Sequence, residues 1–381
     1  MQCVHARTVY TGREAAEDLY LLFDGSRIKG LSAVPEGEVV GRFAALTPAF
    51  IDPHSHIGMS REGEPRNEAE SNETMDAILA LADALDSVQM DDLAFRESVE
   101  MGVLYSCAVP GSGNIIGGMS AVIRHYAATS TEAFICRAGV KGAFGYNPMS
   151  TREWKGTRPS TRMGALSLLR HELRKVQQKV ERQHQTPSTP DREAPLSGAE
   201  KVLAELLSGR LRLRAHVHKT DDIAALLRLV DEFGLRITVE HAMDVHQPGI
   251  FAELGRRRIP VVYGPVDAFA YKVELKHKDW RNVRHLVGSG VEYGLMTDHP
   301  VTPSRQLFLQ TRWFTRAGAS RTQAISLVSL GNARILGIDR VLGSLEPGKW
   351  ASFVGWNGDP FDMTCFPVAV YGEGKLLYAQ E

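Results

Sequence analysis

The middle of this 381-residue chain alternates strand-like apolar segments with amphipathic, helix-like segments. The strand-like segments are predicted at residues 50–57, 104–109, 120–124, 134–143, 211–216, 236–241, 260–263 and 293–297. Helices with an apolar stripe are predicted between several of them, at residues 77–88, 165–180, 223–234 and 324–337. Strands that alternate with helices form parallel β/α units, so we expect an α/β fold. Eight such strands are compatible with a closed barrel, and periodicity alone also allows a doubly wound open sheet.

Both ends of the chain have a different character. Short apolar runs separated by turns make up the N-terminal stretch, which includes CVHARTVYTG and LYLLFDGSRIKGLSAV. The C-terminal stretch is similar and includes SLEPGKWASFVGW and VAVYGEGKLLYA. Two β-rich ends around a mixed middle predict that both termini contribute strands to one small sheet domain.

Composition limits the class of protein. The formal net charge of −1, from 44 basic and 45 acidic residues, leaves no basic field for nucleic-acid binding. No run approaches the roughly 18 apolar residues of a membrane span, and the first residues lack the apolar core of a signal peptide. The four cysteines lie far apart without a CxxC pair, which favours a reducing compartment over a disulfide framework. We therefore expect a cytoplasmic protein without a nucleic-acid or membrane partner, and a homo-oligomer is the usual state at this size.

The sharpest local signal is a pair of histidines, His54 and His56, that follows the apolar run LTPAFI. Residues two apart along a strand point the same way, so both imidazoles can reach one metal ion. Such a pair alone is weak evidence, because polar residues also occur where a strand leaves the core. Metal-competent residues nevertheless recur at three later strand ends, which carry His216 with His218, His241, and Asp298 with His299. β/α barrels place their active sites at that end of the strands, and these ligand types suit zinc.

The order His-x-His, Lys, His, His, Asp, together with its flanking segments, resembles the amidohydrolase superfamily. LTPAFIDPHSHIGM resembles the family's first barrel strand, and GSLEPGKWASFVGWNGDPFD resembles the segment where these chains leave the barrel. The resemblance covers nearly the whole chain and looks nearest to the imidazolonepropionase-related branch, through GSGNIIGGMSAVIR, RPSTRMG and AHVHKTDDI. It implies a (β/α)₈ TIM barrel over residues 48–342 and a small composite β-sandwich from residues 1–47 and 343–381. One departure, Ser352 after Ala351 where the family usually has Ala-Asp, touches no chemistry.

The resemblance also implies a role for each matching residue. The implied ligands of one or two Zn²⁺ ions, or of another divalent metal, are His54, His56, His216, His241 and Asp298. Asp298 is in addition the expected catalytic base, which accepts the proton of the attacking water and passes it to the leaving nitrogen. Lys141 matches a lysine that many relatives carry in carboxylated form, as a bridge between two ions. The alternative is that Lys141 forms an ion pair or extends towards solvent.

Several further residues are candidates for substrate contact. Arg162 can grip a carboxylate with two hydrogen bonds, or it can be a surface arginine at a helix start. Tyr146 stands where related chains carry a glutamate, and Asn114 lies in a glycine-rich loop that could cover the site. His218 and His299 are expected to contact the substrate or to orient ligands. The polar, proline-rich segment 184–197 is expected to be a surface loop or lid.

These residues predict a metal-dependent hydrolase that cleaves a C–N amide bond, linear or cyclic, with a metal-activated water. The expected substrate is a small-molecule or modified-peptide amide, which would suit the tailoring of a peptide natural product. Deamination of a heterocycle, by the same barrel with one metal, is the alternative. The segment HVHKTDD offers no glutamate for that chemistry, which argues against it. A non-catalytic binding protein is the third possibility, and the complete set of five ligand positions argues against that one.

Overall fold

The computed structural model describes residues 1–60, 69–149, 158–185 and 195–380. In chain order its strands are β1 (Gln2–Tyr10), β2 (Ala15–Asp24), β3 (Arg27–Ser32), β4 (Glu38–Pro48), β5 (Phe50–Ser55), β6 (Val103–Ala108), β7 (Ile116–Arg124), β8 (Phe134–Ala143), β9 (Leu213–Val217), β10 (Ile237–His241), β11 (Val261–Tyr263), β12 (Tyr293–Leu295), β13 (Phe353–Trp356), β14 (Pro367–Gly372) and β15 (Lys375–Ala379). All eight strands predicted in the middle of the chain are present, and their bounds shift by a few residues. These strands form two sheets.

The helices lie mainly between the strands of the middle region. They are α1 (Ala84–Ser87), α2 (Leu93–Glu100), α3 (Ser130–Ala133), α4 (Arg162–Gln185), α5 (Gly198–Leu207), α6 (Thr220–Phe233), α7 (Gly249–Arg256), α8 (Thr311–Arg316), α9 (Arg321–Leu327) and α10 (Leu330–Leu336). Short 3₁₀ helices cover Val273–Leu275, Trp280–His285, Ser304–Gln306 and Phe308–Gln310. Among the described residues, no helix combines the length and the apolar character that crossing a membrane requires.

The eight-stranded sheet runs from β5 to β12 in chain order, as a barrel built from successive β/α units would. One strand departs from the expected (β/α)₈ pattern, because β7 pairs antiparallel with both β6 and β8. The connections on either side of β7 are too short for a helical crossover, which parallel strands require, so the chain turns back on itself there. The other neighbouring pairs in this sheet are parallel.

Contacts between the first and last strands bring the barrel close to closure. Asn332 lies in α10 and donates its amide hydrogens to the carbonyls of Ile51 and Leu295, at 2.7 and 2.9 Å. Beyond the end of β12, the Asp298 amide donates to the carbonyl of His54 in β5 at 3.1 Å. A buried asparagine thus links β5 to β12 where no regular ladder joins them, and it holds the two ends of the sheet in register.

The second sheet takes strands from both ends of the chain, in the order β15-β14-β13-β4-β1-β2-β3. Phe23 of β2 and Phe353 of β13 have ring centroids 5.5 Å apart, although β1 and β4 separate their strands. Three strand spacings would span about 14 Å in a flat sheet, so the sheet curls and its two halves face each other. The composite origin of this sheet agrees with the sequence analysis. The β-sandwich description and the domain limits at residues 47 and 343 stay predictions.

Two predicted helices differ from the structure. In segment 77–88 only α1 is helical, because the backbone upstream of α1 bonds to β7 instead, for example Leu79 to the Ile116 carbonyl at 2.8 Å. Segment 324–337 is split into α9 and α10. The interruption leaves the Val328 carbonyl free to accept the Ile51 amide of β5 at 2.8 Å. Tertiary hydrogen bonds outweigh local helix propensity in both places.

Two remaining predictions concern the lid and the cysteines. Most of the lid predicted at 184–197 lies outside the described residues, and the part that is described comprises the end of α4 and the start of the segment that leads into α5. The four cysteines, Cys3, Cys107, Cys136 and Cys365, are free thiols.

Candidate metal centre

The predicted ligands stand at the carboxyl ends of parallel strands. His54 lies near the end of β5, His216 and His218 at the end of β9, and His241 at the end of β10. Asp298 follows β12. Because these strands leave the same end of the barrel, their terminal side chains converge there. The structure therefore brings together residues that are up to 244 positions apart in the sequence.

The first group of candidate ligands consists of His54, His56 and Asp298. The Nε2 atoms of His54 and His56 lie 3.4 and 3.2 Å from Asp298 Oδ1. The other ring nitrogens are already paired, since His54 Nδ1 lies 2.5 Å from Glu240 Oε2 and His56 Nδ1 lies 2.7 Å from the Val109 carbonyl. Each Nε2 is thus left to present a lone pair to the carboxylate. Two ligands of one tetrahedral zinc ion are about 3.3 Å apart, so this spacing fits a shared cation.

The second group consists of His216, His218 and His241. Their ring centroids lie 4.2 to 4.8 Å apart in pairs. His241 Nδ1 lies 3.0 Å from the Gly264 carbonyl, while its Nε2 is buried without a hydrogen-bond partner. His216 Nδ1 and both ring nitrogens of His218 are also buried without one. Buried polar atoms normally have partners, so the donor set of this group fits a cation as well.

Two of these residues have a backbone conformation that side chains rarely adopt. His241 has φ of 78° and Asp298 has φ of 51°, both in the left-handed region. Non-glycine residues in that region carry strain, of the order of 1–3 kcal/mol each, and cluster at functional sites. The strained backbone at His241 and Asp298 is consistent with a functional role for their side chains.

Two buried carboxylates, Glu240 of β10 and Asp52 of β5, position the first group. Glu240 is fully buried, accepts from the His54 ring, and pairs with Arg214 at 2.7 Å and with Thr238 Oγ1 at 2.8 Å. Asp52 accepts from the Thr297 hydroxyl and from the Thr297 amide at 3.2 Å, which connects the ends of β5 and β12. A histidine ligand whose second nitrogen donates to a carboxylate has a fixed tautomer and ring orientation.

The electrostatics of the site keep Asp298 ionised and lower the pKa of several neighbouring histidines. Burial by itself would raise the pKa of Asp298, but the imidazoles of His241, His54 and His56 outweigh it and hold the pKa well below its usual range. Burial lowers the pKa of His56, and burial together with neighbouring imidazoles holds the pKa of His216 well below 6.5. An ionised carboxylate and neutral imidazoles are the forms that bind divalent metals.

Lys141 lies beside the first group of candidate ligands. Its side chain is fully buried, its Nζ donates to the Pro110 carbonyl at 3.0 Å, and Nζ lies 3.4 Å from His54 Nε2. Burial lowers the pKa of Lys141 to about 8, against the opposing effect of Glu240 and Asp298. The position of Lys141 beside His54 is compatible with a carboxylated lysine that bridges two metal ions and also with a buried, unmodified amine. Its carboxylation stays a prediction.

The predicted substrate contacts occupy varied surroundings. Arg162 pairs with Asp222 through two hydrogen bonds of 2.6 and 3.2 Å. Its guanidinium group is therefore already bound to a carboxylate of the protein itself. Asn114 donates to two backbone carbonyls, those of Glu73 and Asp76. Their role in substrate binding stays a prediction.

Tyr146 and His299 lie closer to the candidate ligands. The Tyr146 side chain is exposed, and its backbone amide bonds to a buried carboxylate beside the second group. His299 is buried, its Nε2 has no hydrogen-bond partner, and its carbonyl accepts the His56 amide at 3.0 Å. Burial lowers the pKa of His299 to about 4. Substrate contact by Tyr146 and His299 stays a prediction.

Four residues of the site were not predicted from the sequence: Glu240, Arg214, Asn147 and Glu274. Two of them had a detectable signal, since Arg214 is two residues from His216 on β9, and Glu240 is a charged residue in the apolar strand β10. Asn147, whose amide lies 3.2 Å from His216 Nε2, comes from the segment after β8, and Glu274 comes from a short 3₁₀ helix after β11. No local pattern marks either of them.

Comparison with known proteins agrees with this geometry. Residues 45–377 match the model of the amidohydrolase family, and the chain belongs to that family. It is similar to amidohydrolase tasK of Hapsidospora irregularis, with 27% identity over 375 residues, which are 91% of this chain and 38% of the relative. The chain thus spans well under half of that protein. The imidazolonepropionase-related branch is not specified by these matches and stays a prediction.

Solved structures extend the comparison to the fold. An amidohydrolase from Thermotoga maritima MSB8 is similar over 100% of both chains, with a TM-score of 0.92 and 29% identity. The guanine deaminase of E. coli also covers 100% of both chains, with a TM-score of 0.56 and 16% identity, and shows the fold alone. The prediction of an amidohydrolase is confirmed at the level of the family, which is metal-dependent, and the two histidine groups described above could hold such a metal.

Proposed function

We propose that this protein hydrolyses a C–N amide bond, linear or cyclic, with Asp298 as general base. One observation carries the proposal: a buried, ionised carboxylate oxygen lies 3.2 to 3.4 Å from the Nε2 atoms of His54 and His56 at the carboxyl ends of barrel strands. This arrangement provides a cation site and a proton acceptor within one hydrogen-bond length of each other. Amide hydrolysis requires both.

The chemistry divides between a metal and the protein. A divalent cation held by these histidines would polarise the amide carbonyl and lower the pKa of water at the site towards about 7. The role of Asp298 is to accept the proton of the attacking water and to deliver it to the leaving nitrogen. Glu240 keeps the His54 ring in the tautomer that leaves Nε2 without a proton. Zn²⁺ is the proposed ion, because imidazole and carboxylate ligands suit it.

The proposed substrate is a small-molecule or modified-peptide amide. A family relative that is named an amidohydrolase supports a C–N bond as the target. Such an activity would suit the tailoring of a peptide natural product. Deamination of a heterocycle uses the same barrel fold, as in the guanine deaminase, and is the competing outcome of the test.

The test is a substrate screen with product identification. The metal-reconstituted protein is incubated with N-acyl amino acids, dipeptides, lactams and cyclic imides, and separately with aminated heterocycles. We expect a new carboxylate and a new amine from the amide set, and loss of turnover in His54→Ala. Ammonia released from heterocycles alone, or amide turnover that persists in His54→Ala, would overturn the proposal.

A further inference from the structure

A buried carboxylate, Glu274, lies beside the second group of histidines without a charged partner. Glu274 is 1% exposed, and its Oε2 accepts a hydrogen bond from the Tyr146 backbone amide at 2.9 Å. Its Oε1 is buried without a hydrogen-bond partner. Within the described part of the chain, no lysine or arginine nitrogen lies within 4.0 Å of this carboxylate. A buried carboxylate that lacks a cationic partner costs several kcal/mol, so a positive charge belongs at this position.

The free oxygen of Glu274 faces two imidazoles. Oε1 lies 3.9 Å from Nε2 of His218 and 4.0 Å from Nε2 of His216. These separations are too long for hydrogen bonds. Both ring nitrogens of His218 are buried and unpartnered, as is Nε2 of His241 in the same group. Three side chains, those of Glu274, His218 and His241, therefore have buried ligand atoms without a hydrogen-bond partner in the described protein, and His216 Nε2 is bonded only to the Asn147 amide, at 3.2 Å.

The distances match those between ligands of one ion. Two ligand atoms that share an ion, with bonds of about 2.1 Å, are at most about 4.2 Å apart. The separations of 3.9 and 4.0 Å fall inside that limit, and rotation of the glutamate side chain can shorten them. Gly145 permits the carboxylate to sit against the backbone, because a Cβ there would lie 2.9 Å from Glu274 Oε2.

We propose that Glu274 and His218 are ligands of a second divalent cation, together with His216 and His241. The inference rests on the proposed function, because it assigns further ligands within the same site. It also makes the second ion independent of carboxylation at Lys141. The Lys141 amine lies 3.4 Å from His54 Nε2 and donates to the Pro110 carbonyl, so its contacts are on the side of the first group.

The experiment measures metal stoichiometry and affinity without reference to turnover. Apoprotein is titrated with Zn²⁺ by calorimetry and with Co²⁺ by absorbance, with and without bicarbonate. The variants are Glu274→Gln, His218→Ala and Lys141→Met. Asp222→Asn is the matched control, because it removes a neighbouring carboxylate that is bound to Arg162, and no ion pair of the described residues joins Asp222 to a histidine. His218→Ala tests the same site independently if Glu274→Gln fails to fold.

We expect about two ions in the wild type and in Asp222→Asn, and about one in Glu274→Gln and His218→Ala, with no effect of bicarbonate. Second-site affinity should fall by at least about tenfold in Glu274→Gln. Unchanged two-ion binding in Glu274→Gln and His218→Ala, a single ion in the wild type, or a second ion that requires bicarbonate and Lys141 would overturn the inference. None of these results bears on the proposed function, which fails only if the substrate screen fails.

Discussion

For the buried pair of Glu240 and Arg214, we predict that substitutions change protein stability and metal affinity independently of each other. Both side chains are fully buried inside the barrel, and Arg214 Nη2 lies 2.7 Å from Glu240 Oε1. The other carboxylate oxygen accepts from His54. Glu240→Gln keeps the shape of the side chain and removes its charge. The guanidinium is then left without its counter-charge, and His54 loses its carboxylate acceptor.

The magnitudes follow from the burial of the pair. Removing one partner of a buried ion pair costs about 3–5 kcal/mol of unfolding free energy. Loss of the carboxylate behind a histidine ligand lowers metal affinity by about 10- to 100-fold. If Arg214→Met is added, no unpaired charge remains, so stability should return to within about 1–2 kcal/mol of the wild type. Metal affinity should stay low, because the acceptor for His54 is still missing.

The assay combines urea unfolding of the apoprotein with Zn²⁺ titration for the wild type, Glu240→Gln and the double variant. Glu232→Gln is the matched control, since that carboxylate pairs with Arg170 and Arg174 at the surface and should cost less than about 1 kcal/mol. The reasoning is refuted if Glu240→Gln unfolds within about 1 kcal/mol of the wild type. It is also refuted if the double variant regains full metal affinity.

Three further predictions concern the ligands, acid stability and barrel packing. Asp298→Asn should retain some metal but lose turnover, as judged by elemental analysis beside a kinetic assay; near-wild-type turnover would exclude Asp298 as the base. Apoprotein stability should fall as the pH drops below about 6.5, because burial lowers the pKa of His125 and of His218 to about 3, so that the unfolded chain binds protons that the native state cannot. Urea unfolding at pH 7.5 and 5.5 tests this, and equal stabilities would contradict it. Gly294→Ala should cost about 1–3 kcal/mol in thermal or urea unfolding, because the new Cβ would lie 1.8 Å from the buried Asn332 Oδ1; an unchanged midpoint would disprove the steric argument.

Local patterns in the sequence were enough to predict the strands and to place most of the candidate ligands at strand ends. The period of apolar residues depends only on near neighbours, so segments such as β8 and β10 are recognisable without tertiary information. The position of His54, His56, His216, His241 and Asp298 at strand ends is equally local, because parallel strands of one barrel share an end. That geometric rule turns a one-dimensional order of residues into a three-dimensional site.

The direction of β7 and the fate of segment 77–88 depended on tertiary contacts. A strand has the same apolar pattern whichever way it runs, so periodicity could not reveal that β7 is antiparallel to both neighbours. The stripe of apolar residues in segment 77–88 suits a helix. Most of the segment is not helical, because its backbone forms hydrogen bonds with β7 and the residue before it. Only the folded chain shows which partner a backbone segment has.

The sequence by itself determined the α/β fold class, the family and the order of the candidate ligands, because those follow from local pattern and residue type. The tertiary structure alone decided what surrounds the ligands. His54 contacts Glu240 across 186 positions, and Glu274 approaches His216 and His218 from a short 3₁₀ helix that follows a different strand. Such contacts have no signature in the sequence, since burial and orientation of a polar side chain arise only when distant elements pack together.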